Sequence, residues 1–259
     1  MSANEKPPAD ARAEGVRSVI RAAELLQLFD AHYPTRPLRD LVELTGLPKT
    51  TVVRLLATLA SLGLITSTGE MVYGLGAGFL RWVRLSQRLW EVNAETRTVM
   101  RDLADQCGET VNIYVRQDTD RISVAQEEGT ATVRSVVEVG VPLSLTAGAA
   151  SKVLLCDTPA AVFDELTAKE AQVDMDALKR QVAAVRETGY AVTHGEREFG
   201  ASAVAAPIRA QDGRIIAALS ASGPTSRFTA ERIVDYVPAV TRAAARISEI
   251  GLGTMEAFL

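Results

Sequence analysis

The sequence contains few of the residues on which metal sites, disulfide frameworks and histidine catalysis depend. Its 259 residues include only 2 cysteines and 2 histidines, and aromatic residues make up 5%. Cys107 and Cys156 lie far apart and lack CxxC spacing, so we expect two buried thiols instead of a metal site or disulfide framework. We therefore expect no cofactor and no bound metal.

Long apolar runs are also missing from the sequence. No run reaches the ~18 apolar residues that a membrane-spanning helix needs, so no membrane segment is expected. The first fifteen residues are polar and lack the apolar core of a signal peptide, which indicates a disordered lead-in to a cytoplasmic protein. The chain has 47% hydrophobic and 23% charged residues, a composition that allows a folded core. Its length of 259 residues suits two folded domains.

An amphipathic pattern in the stretch from Leu38 to Leu64 predicts a DNA-recognition helix. Its apolar residues follow the i, i+3, i+4, i+7 spacing of a buried helical face. The opposite face carries short polar residues and an arginine, which suit base edges and phosphates in a major groove. The apolar face consists of Val52, Leu55, Leu56 and Leu59, and the polar face of Thr50, Arg54, Thr58 and Ser61.

A shorter amphipathic run precedes this helix, and Gly46 and Pro48 separate the two. Glycine can end a helix in the left-handed conformation, and proline suits the start of the next helix, so a helix-turn-helix is predicted. Residues 62–75 then predict two strands around a Ser-Thr-Gly-Glu turn, which would form a wing. A helical corner without DNA is the alternative, but the wing directly after the second helix favours DNA binding.

The formal net charge of −4 and the isoelectric point near 5.4 are unusual for a DNA-binding protein. Basic residues nevertheless slightly outnumber acidic ones in the candidate winged domain, and the charge of the docking face governs phosphate contact. We expect contacts with double-stranded, pseudo-palindromic operator DNA from Arg36, Lys49, Thr50, Thr51, Arg54, Ser67 and Thr68.

The chain after the wing is predicted to form a linker helix and then an α+β domain. The helix carries Phe79, Trp82 and Trp90, and burial of this aromatic surface in a dimer would match a two-fold operator. The pattern from about residue 91 predicts a curved antiparallel sheet with crossing helices. The predicted strands are 110–115, 121–126, 132–137, 202–209 and 214–221, and a final helix spans 230–250 after a cap at Thr229.

Several motifs, in their order and at their separations, resemble the IclR family of bacterial transcriptional regulators over residues 16–251. They are GLPKTTV at 46–52, YGLG at 73–76, TAGAASK at 146–152, GYAV at 189–192, AAPI at 205–208 and ALSASGP at 218–224. The resemblance implies a winged helix-turn-helix, a linker helix and a GAF-like effector domain. It also implies dimers that pair into tetramers, and it leaves activation and repression equally open.

We expect five segments along the chain, and the resemblance implies an effector site in the fourth of them. The segments are a disordered tail (1–15), a winged helix-turn-helix (16–76), a dimerising linker helix (77–91), an effector-binding domain (92–251) and a C-terminal tail (252–259). The implied effector residues are Thr146, Gly148, Ala149, Ala150, Thr193, Ala201, Ser202, Ala203, Ser220 and Ser222.

The chemistry of these residues is compatible with an organic acid. A helix beginning near Thr146 could offer free N–H groups to a carboxylate, and Ser220 and Ser222 share one strand face. Thr193 stands where the family usually has an acidic residue and Ala203 where cysteine is frequent, which predicts a larger, more apolar ligand such as an aromatic carboxylate. A packed helix–sheet junction with ordinary strand serines is the alternative.

Two functions of other classes remain open at this point. An enzyme could combine His194 with a serine and an acid, but the sequence has no nucleophile-elbow motif and no phosphate-binding loop, so no catalytic residues are expected. A DNA-free interaction module could dimerise through Trp82 and Trp90. We expect instead a cytoplasmic regulator that is nucleoid-associated when bound to its operator, with a small acid controlling its operator affinity.

Overall fold

A computed structural model describes residues 15–259 of the chain. The described residues divide into two compact units, with the boundary between Arg88 and Leu89. The disordered lead-in predicted for residues 1–15 lies outside the described residues, apart from residue 15 itself. No helix in the described part of the chain is long and apolar enough to cross a membrane.

The first unit is a winged helix-turn-helix. Strands β1, β3 and β2 form a small antiparallel sheet in that order, with β2 and β3 as the wing. Gly46 ends the first helix of the motif in the left-handed region, with a φ of 62°, as the sequence predicted. The elements are α1 (Arg17–Leu26), β1 (Thr35–Pro37), α2 (Leu38–Thr45), α3 (Lys49–Ser61), β2 (Ile65–Ser67) and β3 (Val72–Leu75), followed by α4 (Phe79–Trp90).

The helices of this unit are held by one small apolar core. The predicted inward face of α3 contributes Val52, Leu56 and Leu59, all buried, while Leu55 is half-buried. Leu25 and Leu41 are completely buried against them. Because the apolar face of α3 points into this core, its polar face is directed to solvent.

The second unit is a six-stranded antiparallel sheet covered by helices on both faces. The strand order is β6-β5-β4-β9-β8-β7. The core residues of α5 and α9 pack on one face, and those of α6, α7 and α8 pack on the other. The elements are α5 (Ala94–Cys107), β4 (Thr110–Gln117), β5 (Asp120–Glu127), β6 (Pro142–Ser144), α6 (Ala149–Leu154), α7 (Ala160–Lys169), α8 (Met175–Thr188), β7 (Ala191–His194), β8 (Ala201–Arg209), β9 (Ile215–Pro224) and α9 (Ala230–Ile250).

Two parts of this unit differ from the sequence-based expectation. Residues 132–137, predicted as a strand, lie in the loop between β5 and β6, and β6 is the strand that pairs with the outer edge of β5. Residues 252–259, predicted as a tail, fold onto the unit instead: Leu252 and Met255 are completely buried, and Phe258 packs on Trp90 with ring centroids 6.2 Å apart.

The two cysteines are buried and unpaired, as predicted. Burial raises the pKa of the Cys107 and Cys156 thiols from 9.0 to about 11. We therefore expect neither thiol to react with a disulfide reagent at pH 8 in the folded protein, and both to react after unfolding. The thiols lose their protons at a lower pH in the unfolded state than in the folded state. The free energy of unfolding should therefore also decrease as the pH rises from 9 towards 11. Rapid native labelling at pH 8 would contradict this.

Candidate functional site

Helix α3 presents an unpaired basic and polar surface to solvent. Lys49, Thr50 and Arg54 are exposed, and Thr51 is half-buried beside them. No carboxylate in the described part of the chain forms an ion pair with Lys49 or Arg54. The four side chains lie on one helix end, after Pro48, where a phosphate or base edge could approach.

The remaining residues predicted to contact DNA lie around this helix but are partly engaged within the unit. Arg36 lies in β1, and its Nε donates to the Leu28 carbonyl at 2.6 Å while its guanidinium stacks on Tyr33. The Ser67 hydroxyl donates to the Val72 carbonyl at 3.1 Å within the wing. Thr68 is exposed beside it.

A cavity opens in the second unit between the sheet and the start of α6. The empty space in and around it, including open solvent at its mouth, is about 420 Å³. Strand register assembles its floor, since Thr193 pairs with Ala203 and Ala203 with Ser222. All predicted effector residues except Thr146 line the cavity. Sequence reasoning missed Tyr114, Arg121, Ser135, Val137 and Arg197, which also line it.

Arg121 is the most unusual residue of this cavity. It is a buried guanidinium, 3% exposed, with no carboxylate partner in the described residues. Its Nη1 donates to the Ala147 carbonyl at 2.8 Å and to Ser144 and Ser151, and Tyr114 lies against its face at 5.3 Å. Burial lowers its pKa to about 10, so it remains protonated at neutral pH.

The helix start predicted to bind an effector carboxylate already holds one from the chain itself. Glu196 accepts the Gly148 N–H at 3.1 Å and forms an ion pair with the buried Lys152. Helix α6 is also only 6 residues long, which limits its dipole. Thr146 turns away, donating to Glu170 at 2.7 Å. The start of α6 is therefore not free to bind the carboxylate that the sequence predicted there.

The cavity also carries hydroxyl groups without protein partners. Thr193, Ser220 and Ser222 line it, and their hydroxyls have no hydrogen-bond partner in the described residues. At one side Arg197 donates to the Ser135 hydroxyl at 3.3 Å, joining the loop before β8 to the loop before β6. The lining contains no aspartate or glutamate, so its two ionised groups are both positive.

The enzyme alternative finds no support in the surroundings of His194. Its Nδ1 lies 2.9 Å from the Ser202 hydroxyl, which in turn contacts the Thr225 hydroxyl at 2.8 Å. No carboxylate of the described residues completes a triad with this pair. The histidine is also exposed at the end of β7.

Helix α4 exposes much of its apolar surface. Leu80 and Trp82 are 68% and 58% exposed, and Val83, Leu85 and Leu89 are also exposed. Of the aromatic residues predicted to dimerise, Phe79 is half-buried and Trp90 packs against the core of the second unit.

Comparison with protein families identifies both units. The profile described as the IclR helix-turn-helix domain matches residues 18–69, and the profile of the bacterial transcriptional regulator IclR C-terminal domain matches residues 87–249. The chain belongs to the IclR family. As an IclR-family protein it is a DNA-binding transcriptional regulator with a C-terminal effector domain, and it is not an enzyme.

Individual IclR relatives cover nearly the whole chain. The regulator KipR of Bacillus subtilis is 30% identical over 90% of this chain and 96% of its own. A crystal structure of an IclR-family regulator from Rhodococcus is 47% identical, covers 98% of this chain and 100% of that one, and has a TM-score of 0.63. An IclR regulator from Silicibacter is 27% identical, with coverage of 90% and 95% and a TM-score of 0.76.

Proposed function

We propose that this regulator binds a pseudo-palindromic operator as a homodimer and that an organic acid in the cavity of the second unit changes its operator affinity. The carrying observation is that both units keep polar groups without protein partners, on α3 and around the cavity. The exposed groups of α3 are free to contact DNA, and unpartnered polar groups inside a cavity are costly unless water or a ligand satisfies them.

We infer that base or phosphate contacts with DNA come from Lys49, Thr50, Thr51 and Arg54. Arg36, Ser67 and Thr68 would contact phosphates from β1 and the wing. The exposed apolar residues of α4 support pairing of two chains, which would present two α3 helices to two half-sites. Two such dimers could associate further into a tetramer.

We infer that the effector is an aromatic carboxylate. The Tyr114 ring, Val137 and the small side chains of Ala149, Ala150 and Ala203 supply an apolar wall for a ring. The hydroxyls of Ser220 and Ser222 and the guanidinium of Arg121 supply donors for an acid. Acid and operator must change each other's affinity by the same factor, because the two equilibria are linked.

Selection of fragments of the source genome on the purified protein, at two salt concentrations, tests the DNA half of this proposal. We expect recovery of a pseudo-palindromic sequence that survives the higher salt, since specific contacts persist when counterion release weakens. Recovery of sequence-blind, salt-sensitive binding alone would contradict a specific operator. The genes beside the recovered site would indicate which acids to test.

A further inference from the structure

We propose that the effector carries two acidic groups, one bound by Arg121 inside the cavity and the other by Arg197. This inference rests on the proposed function, because it specifies the acid that the cavity takes. It is carried by the hydrogen bonding of Arg121, by the partners of Arg197 and by the charge of the cavity lining.

Arg121 is held in place through Nη1, whereas its Nε and Nη2 donors have no partner among the described residues. Its Nη1 is fixed by the backbone carbonyls of Ser144 and Ala147 and by the Ser151 hydroxyl. Its Nε is buried and has no hydrogen-bond partner in the described residues. The Nη2 also lacks one, and it lies 3.3 Å from the position that a Cβ on Gly148 would take.

The unpaired edge of Arg121 has the geometry that binds a carboxylate with two hydrogen bonds. The same edge of Arg227 is paired: its Nε and Nη2 donate to the two carboxylate oxygens of Glu109, at 2.6 Å each. A planar fork of this kind matches both oxygens of a carboxylate. A buried guanidinium without such a partner is costly, which favours an anionic ligand over a neutral one.

Arg197 supplies a second positive group that the protein neutralises weakly. Its only carboxylate contact in the described residues is Glu198 at 3.3 Å, and that side chain is 71% exposed. No acidic residue lines the cavity, so a ligand with one carboxylate on Arg121 would leave Arg197 with this exposed glutamate as its only carboxylate partner among the described residues. A second acidic group would compensate Arg197.

Glycine at position 148 is consistent with this arrangement. Its φ of 94° and the short distance to Arg121 Nη2 mean that a side chain here would be strained and would press on the guanidinium. The Gly148 N–H is meanwhile occupied by Glu196, so a ligand carboxylate has Arg121 as its main buried donor.

Calorimetry with benzoate and the three benzenedicarboxylates on the full-length protein tests this inference. We expect at least one dicarboxylate isomer to bind about tenfold or more tightly than benzoate, since its second acidic group gains a charge-assisted hydrogen bond to Arg197. In Arg197→Gln this preference should fall to about threefold or less. In Arg121→Lys, which keeps the charge but loses the fork, affinity for every acid should fall about tenfold.

Arg214→Gln is the matched control, because Arg214 is an exposed arginine paired with Asp212 on the hairpin between β8 and β9. It should bind all four acids as the wild type does. Equal binding of benzoate and every dicarboxylate by the wild type would overturn the inference even if Arg121→Lys failed to fold, while leaving an acid-responsive regulator intact. Binding of none of the four acids would overturn the proposed aromatic effector as well.

Discussion

Arg54→Ala is expected to lower operator affinity about 10- to 100-fold while leaving the fold intact. Arg54 is exposed on α3, on the face opposite the buried Val52, Leu56 and Leu59, and has no ion pair to lose among the described residues. One well-placed arginine contributes about 1–3 kcal/mol to recognition of a base. Exposed substitutions of this kind change stability by about 0.5 kcal/mol or less.

Titration of labelled operator at several salt concentrations measures this effect and identifies the contact. If Arg54 binds a base, its variant should keep the salt dependence of the wild type and tolerate base changes at one operator position. Loss of a phosphate contact would instead reduce the salt slope by about one. Arg214→Ala is the control: it removes one positive charge from the second unit and should leave operator affinity unchanged. Equal affinities of wild type and Arg54→Ala would contradict the placement of α3 on DNA.

Arg227→Met is expected to lower the free energy of unfolding by about 3 kcal/mol. The Glu109 carboxylate is 1% exposed and is bonded twice by Arg227, whose own side chain is 29% exposed. The pair raises the pKa of the Arg227 guanidinium through its hydrogen bonds to Glu109. Removing the arginine alone would leave a buried carboxylate uncompensated, which typically costs about 3–5 kcal/mol.

Urea unfolding of three variants separates burial from simple charge loss. Arg214→Met breaks an Arg–Asp contact of 2.7 Å, but both partners are exposed, so we expect a loss of about 1 kcal/mol or less. Arg227→Met combined with Glu109→Gln removes the stranded charge and should recover part of the loss. Similar destabilisation by Arg227→Met and Arg214→Met would contradict the role assigned to this buried pair.

Arg227 also shows why part of the fold could not be predicted from local sequence. Residues 132–137 have the β-branched composition of a strand, yet the Val133 carbonyl accepts from Arg227 and the Val137 N–H donates to Gln126. These partners lie far away in sequence or on another strand. Tertiary hydrogen bonds therefore override the strand propensity of residues 132–137. The helix-turn-helix was predictable because its signals, the α3 periodicity and Gly46, are local.

The cavity was predictable only in part, for a similar reason. Ser220 and Ser222, which belong to the family motif at 218–224, line the cavity. Arg121 was missed because β5 is covered on both faces, with Arg121, Ser123 and Ala125 buried and Ile122 and Val124 half-buried. An alternating pattern alone would place the arginine outside. Occupation of the Gly148 N–H by Glu196 depends equally on a contact between distant segments.

Measurement of the coupling between acid and operator tests the central claim most directly. Operator affinity would be titrated with and without a saturating benzenedicarboxylate, and acid affinity with and without saturating operator. We expect both affinities to change, and by the same factor, typically about 5- to 150-fold. An acid that binds in the cavity but leaves operator affinity unchanged would contradict an effector-controlled regulator.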